Sequence, residues 1–319
     1  MKAMILGAAG FVGPYLIDAI RHDLLCEIVV TKLPHETVAP SPQNTAFRAV
    51  NLDILNPLAI IDLLRSEKPD YIFHLAAQSS VSYSWKNPAL TVDVNVKGAL
   101  NVLGAIRQLR ADGYDPRVLM IGSGEEYGHI KPGNVPIRED SDLDPGNIYA
   151  ATKACQNMMA TIYAHAYGLQ LMMVRAFNHF GPRQAPLFVA ADFCRQAVLI
   201  EKGQQEPVMR VGNLSAKRDF TDVRDVVRAY TALVQFGIPG ETYNVGSGHA
   251  IPVQKILDLI VAQSEAEIAV ETDPAKLRPV DVPIIEADIS KIYAATGWKP
   301  SIPLETTIAD TLAYWRSVL

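Results

Sequence analysis

The stretch Lys2-Ala3-Met4-Ile5-Leu6-Gly7-Ala8-Ala9-Gly10-Phe11-Val12-Gly13 decides the fold. A short apolar run, read as a buried strand, breaks directly into evenly spaced glycines, and Val12 to His22 then carries a helical pattern. Glycines at such a junction allow a tight turn, let backbone N–H groups approach a pyrophosphate, and let the next helix pack on the strand. The helix N-terminus faces the phosphates with N–H groups that have no partner inside the helix. Gly7, Gly10, Phe11, Val12 and Gly13 are therefore candidate contacts for a dinucleotide. A glycine run alone is often only a turn; its place right after the first strand gives it weight.

Outward from this segment, strand-like runs at Glu27 to Thr31, Ala46 to Val50, Tyr71 to Leu75, Val118 to Ile121 and Leu171 to Arg175 alternate with helical patterns. The helices are expected at Pro57 to Ser66, Asn87 to Arg110 and Asn147 to Tyr167. Such alternation predicts an α/β fold, a doubly wound parallel sheet of Rossmann type. After Phe177 the pattern is broken by Pro182, Pro186, Pro207, Pro239, Pro252, Pro274, Pro279 and Pro283, which suits a smaller lobe built from insertions. Phe220 to Val245 and Ile284 to Gly297 read as returns to the sheet. The expected division is a dinucleotide-binding domain over 1–177 and a discontinuous substrate-binding lobe mainly over 178–319. The apolar stripes of the two long helices suit burial within one subunit and equally suit pairing across a dimer.

With 29 Lys and Arg against 34 Asp and Glu among 319 residues, the chain is mildly acidic at −5 and shows no basic stripe of the kind nucleic-acid binders carry. Cys26, Cys155 and Cys194 are far apart, with no CxxC or His/Cys cluster, and read as reduced core thiols of a cytoplasmic protein that holds no metal. No apolar run is read as approaching the ~18–20 residues that span a bilayer, and no leader pattern opens the chain.

The second strand ends in Thr31-Lys32, where an acidic residue would receive the ribose 2′-OH of NAD. Lys32, with His35 nearby, suits a 2′-phosphate instead, so NADP(H) is the expected cofactor. Asp53 and Ile54 follow the third strand, within reach of an adenine. Leu75, Ala76, Ala77 and Gln78 follow the fourth, where small residues admit a flat ligand; His74 before them reads as structural.

Gly122-Ser123-Gly124-Glu125-Glu126-Tyr127-Gly128 closes the fifth strand, and Tyr149 precedes Lys153 by one helical turn. Ser123 can donate a hydrogen bond to a carbonyl oxygen while Tyr149 moves a proton. An ammonium on the same helical face is expected to lower the phenol pKa from its usual value of about 10.

These elements, in this order, resemble the extended short-chain dehydrogenase/reductase family across essentially the whole chain. Within it, Arg175 to Arg183, Val211 to Leu214, Arg218 to Asp225 and Leu277 to Asp281 are similar to the enzymes of GDP-mannose metabolism. The resemblance implies that His179 meets the cofactor, that Asn178 meets the phosphates of a nucleotide sugar, and that Arg218 and Arg278 clamp its diphosphate. It also implies that Val189 and Asn213 lie near base and ribose, and Ser79, Ser80, Ser123, Gly124 and Asp281 near the rest of the substrate. The resemblance further implies dimers or tetramers through the long helices. In the 4,6-dehydratase branch a Thr-Ser-Glu or Thr-Asp-Glu run stands at Ser123-Gly124-Glu125, and its glutamate removes the sugar C5 proton. Glu125 keeps that chemistry open, whereas Ser123 and Gly124 depart from the pattern and favour the branch that reduces a 4-keto sugar. A protein that binds NADP(H) without chemistry would need no Ser123, Tyr149 and Lys153 set.

Overall fold

A computed structural model describes residues 1–130, 133–276 and 282–319. Its strands are β1 (Lys2–Leu6), β2 (Glu27–Lys32), β3 (Arg48–Asn51), β4 (Tyr71–His74), β5 (Arg117–Ser123), β6 (Leu171–Ala176), β7 (Asn178–Phe180), β8 (Val208–Val211), β9 (Lys217–Asp222), β10 (Thr242–Val245), β11 (Ala250–Pro252), β12 (Ala269–Thr272) and β13 (Ile284–Ile285). The helices are α1 (Gly13–Ala19), α2 (Pro57–Glu67), α3 (Val81–Lys86), α4 (Pro88–Val92), α5 (Ala99–Arg110), α6 (Ile148–Tyr167), α7 (Val189–Glu201), α8 (Val223–Phe236), α9 (Val253–Ala262), α10 (Ser290–Thr296) and α11 (Leu304–Val318).

Seven strands form one parallel sheet in the order β10-β6-β5-β4-β1-β2-β3. In β1, Ala3 and Ile5 face one core while Met4 and Leu6 face another. That is the period of two expected of a strand covered on both sides, and it explains why the run reads as continuously apolar. The chain order reverses between β1 and β4, so the crevice outside their carboxyl ends is where a ligand is expected in such a sheet.

One face is covered by α1, α8 and α10, the other by α2, α5 and α6. In α8 the buried residues Val223, Val226, Val227, Tyr230, Leu233 and Val234 recur at helical spacing. Valine costs up to about 0.7 kcal/mol in helix propensity, but full burial returns roughly 1.5–3 kcal/mol. Packing decides this helix.

A third core joins α7, α9 and α11 through Phe193, Ile256, Ile260, Ile308 and Trp315. Between this lobe and the sheet, the buried Asp219 carboxylate of β9 accepts the Ser247 N–H at 2.6 Å, its hydroxyl at 2.7 Å, the Gly248 N–H at 3.0 Å and the Ala287 N–H at 3.1 Å. One carboxylate thereby ties the loop after β10 and the segment after β13 to the lobe.

The structure departs from the sequence reading in particular places. The long helix expected over Asn87 to Arg110 is α4, a π-helical segment Asp93–Gly98, and α5. Taken together, Pro88–Arg110 is long and apolar enough by composition to cross a membrane, contrary to the expectation that no run approached that length. Its Ala99, Val102, Leu103, Ile106 and Leu109 are buried against the sheet with α2. Cys26 and Cys194 are buried, but Cys155 is half-exposed and so is not a core thiol.

Candidate active site

The site assembles at the carboxyl ends of adjacent strands. Strand register sets Leu6 beside His74, His74 beside Met120, and Ser123 beside Ala176. The residues that follow each strand, Gly7, Leu75 to Ala77, Gly124 and Phe177 to His179, therefore share one rim.

On the cofactor side, backbone does the work. Gly7 has φ +82°, and a Cβ there would lie 2.5 Å from the Ala76 Cα. A Cβ on Gly13 would lie 2.0 Å from the Ala8 carbonyl oxygen. Around Gly10 there is no atom within 4 Å of the same point, so its open side can accept a phosphate. Val12 at the head of α1 makes no side-chain cap, which leaves the first helical N–H groups for an anion. The residues present fit a dinucleotide.

Other expected cofactor contacts are more mixed. The Thr31 hydroxyl is buried and accepts the Gly7 N–H at 3.0 Å, so it braces the glycine loop. Lys32 donates to the Leu33 and Pro34 carbonyls at 3.2 and 3.5 Å, holding its ammonium at the tip of β2. Asp53 is exposed and accepts the Leu55 N–H at 2.9 Å, a turn contact; the Ile54 side chain is buried in the core, and only its backbone is left for an adenine. The Gln78 side-chain amide is engaged by Ser80 and Thr91, and its backbone N–H donates to Asn95 at 2.8 Å, so this residue shapes the strand end. His179 stacks on Phe11, with ring centroids 6.3 Å apart, and its Nδ1 lies 2.9 Å from the Phe177 carbonyl. Burial holds the imidazole below its usual pKa. The neutral ring donates from Nδ1 and presents Nε2.

The chemical centre is side-chain work. Ser123 and Tyr149 are 8 % and 9 % exposed, at the edge of the interior, and the Ser123 hydroxyl is near enough to the phenol to favour its ionised form. The Ser123 hydroxyl also accepts the Glu125 N–H at 3.2 Å. Burial drives the Tyr149 pKa above its ordinary value; the nearby Ser123 hydroxyl opposes that, while the negative charges of Glu125 and Glu126 reinforce it. The expected lowering by Lys153 is absent. Its ammonium donates instead to the Ile121 carbonyl at 2.7 Å and the Gln156 Oε1 at 3.1 Å, and burial pulls its own pKa down to about 8. Tyr149 is thus a neutral phenol, poised to give a proton.

Glu125 stands half-buried, its Oε2 accepting the Asn147 Nδ2 at 3.2 Å. Asn147 also caps α6, its Oδ1 accepting the Ala150 N–H at 2.9 Å. Gly124 lies 3.2 Å by its absent Cβ from the Phe177 ring, leaving no side chain between Ser123 and the rim.

Of the expected substrate residues, Ser79, Asn178 and Asn213 are exposed, and Val189 opens α7 at 37 % exposure. Ser80 caps α3 through the Tyr83 N–H. Asn213 accepts the Ser215 N–H at 3.0 Å. Arg218 on β9 donates to the Val282 carbonyl at 2.7 Å. Arg278 and Asp281 lie outside the described residues. Among the described residues no group of His, Cys, Asp and Glu side chains gathers as it would to hold a metal ion.

The residues missed from sequence are Glu126, Asn157 and Arg175. They meet in the interior just beneath Ser123. Two adjacent glutamates after Ser123 were the one available signal, since a second carboxylate at a buried strand end demands partners.

Residues 4–311 match the family model for GDP-mannose 4,6 dehydratase. The chain is 33 % identical to GDP-6-deoxy-D-mannose reductase from Pseudomonas aeruginosa, over 99 % of this chain and 97 % of that protein. It is 30 % identical to GDP-mannose 4,6 dehydratase 1 from Arabidopsis thaliana, over 96 % of this chain and 87 % of that protein. Among solved structures, RMD from Pseudomonas aeruginosa complexed with NADPH superposes with a TM-score of 0.86 at 30 % identity, covering 100 % of this chain and 99 % of that one. UDP-glucose 4-epimerase from Thermus thermophilus, in complex with NAD, superposes at 0.85 with 26 % identity and full coverage of both chains.

Proposed function

The chain belongs to the GDP-mannose 4,6-dehydratase family of extended short-chain dehydrogenases/reductases, nucleotide-sugar enzymes, and from that premise we propose a specific activity. The protein reduces the C4 keto group of GDP-4-keto-6-deoxy-D-mannose with NADPH and yields GDP-D-rhamnose. The observation that carries this reading is the buried Tyr149 phenol, kept protonated by its surroundings at the strand end that carries Ser123. A reductase must deliver a proton to an incipient alkoxide, whereas a dehydratase must first take one from the C4 hydroxyl.

When bound, NADPH supplies the hydride. Ser123 donates its hydroxyl hydrogen to the substrate carbonyl oxygen, and Tyr149 delivers the proton as negative charge develops there. Lys153, one helical turn along α6 and bonded to Ile121 and Gln156, would hold the nicotinamide ribose of the bound cofactor. The open side of Gly10 and the head of α1 hold the cofactor diphosphate, and Lys32 pairs with the 2′-phosphate. Arg218, with Arg278, takes the sugar-nucleotide diphosphate, and Asn178, Val189 and Asn213 line its path.

Loss of NADPH absorbance with freshly made keto sugar tests the activity. Dehydration of GDP-mannose without net NADPH consumption would instead favour the second reading. That reading rests on Glu125, which stands beside Tyr149's helix and can act as a base at C5.

The same proposal includes a homodimer, or a tetramer of such dimers, in a cytoplasmic setting. Leu90, Val92, Leu100, Met158 and Ile162 of α4, α5 and α6 are 39–59 % exposed, an apolar face that a second copy would cover. Sedimentation of Met158→Glu should show monomers.

A further inference from the structure

Glu126 has no exposed surface, yet every neighbour within hydrogen-bond reach is a donor. Its Oε1 accepts the Ser123 N–H at 2.8 Å and the Asn157 Nδ2 at 2.9 Å. Its Oε2 accepts Asn157 Nδ2 at 2.8 Å and Arg175 Nε at 3.0 Å. A protonated acid would set its own O–H against these donors, so the surroundings select the carboxylate even though burial pushes its pKa up. The strand makes room for it: a Cβ on Gly122 would lie 2.2 Å from Oε1.

Each donor comes from a different element. Ser123 ends β5, Asn157 lies one turn beyond Lys153 on α6, and Arg175 belongs to β6. Arg175 reaches further, donating to the Tyr127 hydroxyl and the Glu139 carbonyl, both at 3.0 Å. Tyr127 in turn donates to Asn244 Oδ1 on β10 at 2.7 Å. One buried carboxylate thus stands where the backbone of Ser123 meets the helix that carries Tyr149 and Lys153.

We infer that Glu126, paired with Arg175, is a positioning residue for the reaction: it fixes the Ser123 backbone against α6 and so sets the Ser123–Tyr149 geometry. The inference rests on the activity proposed above. Its negative charge also favours the protonated forms of Lys153 and Tyr149, in keeping with a phenol that serves as acid. The Ser123 N–H contact closes a capping box at the head of the turn Gly124–Tyr127, so the part that a purely local role would not need is the reach to Asn157 on α6 and to Arg175 on β6.

The test compares Glu126→Gln, Glu126→Asp and the double variant Glu126→Leu/Arg175→Met, which removes both buried charges together and guards against the case in which Glu126→Gln fails to fold. In protein labelled with 15N-serine, the Ser123 amide proton should move upfield in the Gln and double variants, with Ser123→Ala supplying its assignment. Turnover of the keto sugar should fall on the order of 10²-fold, as for a small misplacement of a reacting group, while the NADPH dissociation constant stays within about twofold. Glu126→Asp should recover part of the turnover. An unmoved Ser123 resonance overturns the inference. So does turnover within about twofold of the parent, or cofactor affinity falling in step with turnover. If the parent protein itself leaves the keto sugar untouched, the proposed activity fails, and the Ser123 resonance still decides the role of Glu126.

Discussion

The glycine loop and the Ser123–Tyr149–Lys153 centre lie on one rim, yet they are specified in opposite ways. At Gly7 and Gly13 the decisive feature is a missing side chain: any Cβ would enter backbone atoms 2.5 or 2.0 Å away. At Ser123 and Tyr149 the decisive feature is burial, which holds a phenol neutral and leaves Lys153 bonded to Ile121 and Gln156. The first kind of site is written in consecutive residues. The second depends on groups drawn from β5, the turn after it and α6, so its electrostatics differ from what helical spacing alone suggests.

The sharpest way to break this contrast is Tyr149→Phe. Loss of a general acid should lower turnover by about 10²–10⁴-fold, with NADPH binding retained in a fluorescence titration. Loss of cofactor binding as well would mean that the chemical centre and the loop are not separate devices.

Next in size is the pair Gly7→Ala and Gly10→Ala. The first combines φ +82° with a backbone clash and should cost at least about 2 kcal/mol in denaturant unfolding. The second meets open space, so stability should hold while NADPH affinity falls. Equal melting losses would show that Gly10 has a packing role after all.

Lys32→Ser sharpens the cofactor side. Removing one charge-assisted contact to a 2′-phosphate should weaken NADPH by about tenfold and leave NADH unchanged. An equal loss for both would assign Lys32 to the loop alone.

The smallest effect concerns pH. Burial lowers Lys153 from 10.5 to about 8, so between those values the unfolded chain binds a proton that the folded chain does not. This group's contribution to stability therefore rises with pH across that window and stays at its least favourable below about 8. Lys153→Met should flatten the rise in urea midpoints over the same range; parallel curves would contradict the burial of the ammonium.

Much of the fold was legible because β1, β2, β4, β5 and β6 are apolar runs beside helices of clear periodicity. Within the expected return Phe220 to Val245 only Thr242–Val245 joins the sheet, as β10 beside β6, while in the expected return Ile284 to Gly297 the strand Ile284–Ile285 pairs with β9 away from it, a tertiary choice that no local pattern carries. The same holds at the site. Gly7, Ser123 and Tyr149 belong to short motifs, whereas the partners of Glu126 at Asn157 and Arg175 are 31 and 49 residues away. Thr31, Ile54 and Gln78 stood at the right strand ends, but side-chain direction decided their use: Thr31 turns to Gly7, Ile54 to the core and Gln78 to Thr91.

The central claim, that a neutral Tyr149 serves reduction at C4, meets its most direct test in isotope transfer. The purified protein would be given freshly made GDP-4-keto-6-deoxy-D-mannose and NADPH deuterated at both nicotinamide C4 positions, and the GDP-sugar product analysed by mass spectrometry and NMR. The account predicts one deuterium at sugar C4, with Tyr149→Phe giving at most about a hundredth as much labelled product in the same time. Unlabelled sugar from the parent protein, with NADPH unconsumed, would contradict it.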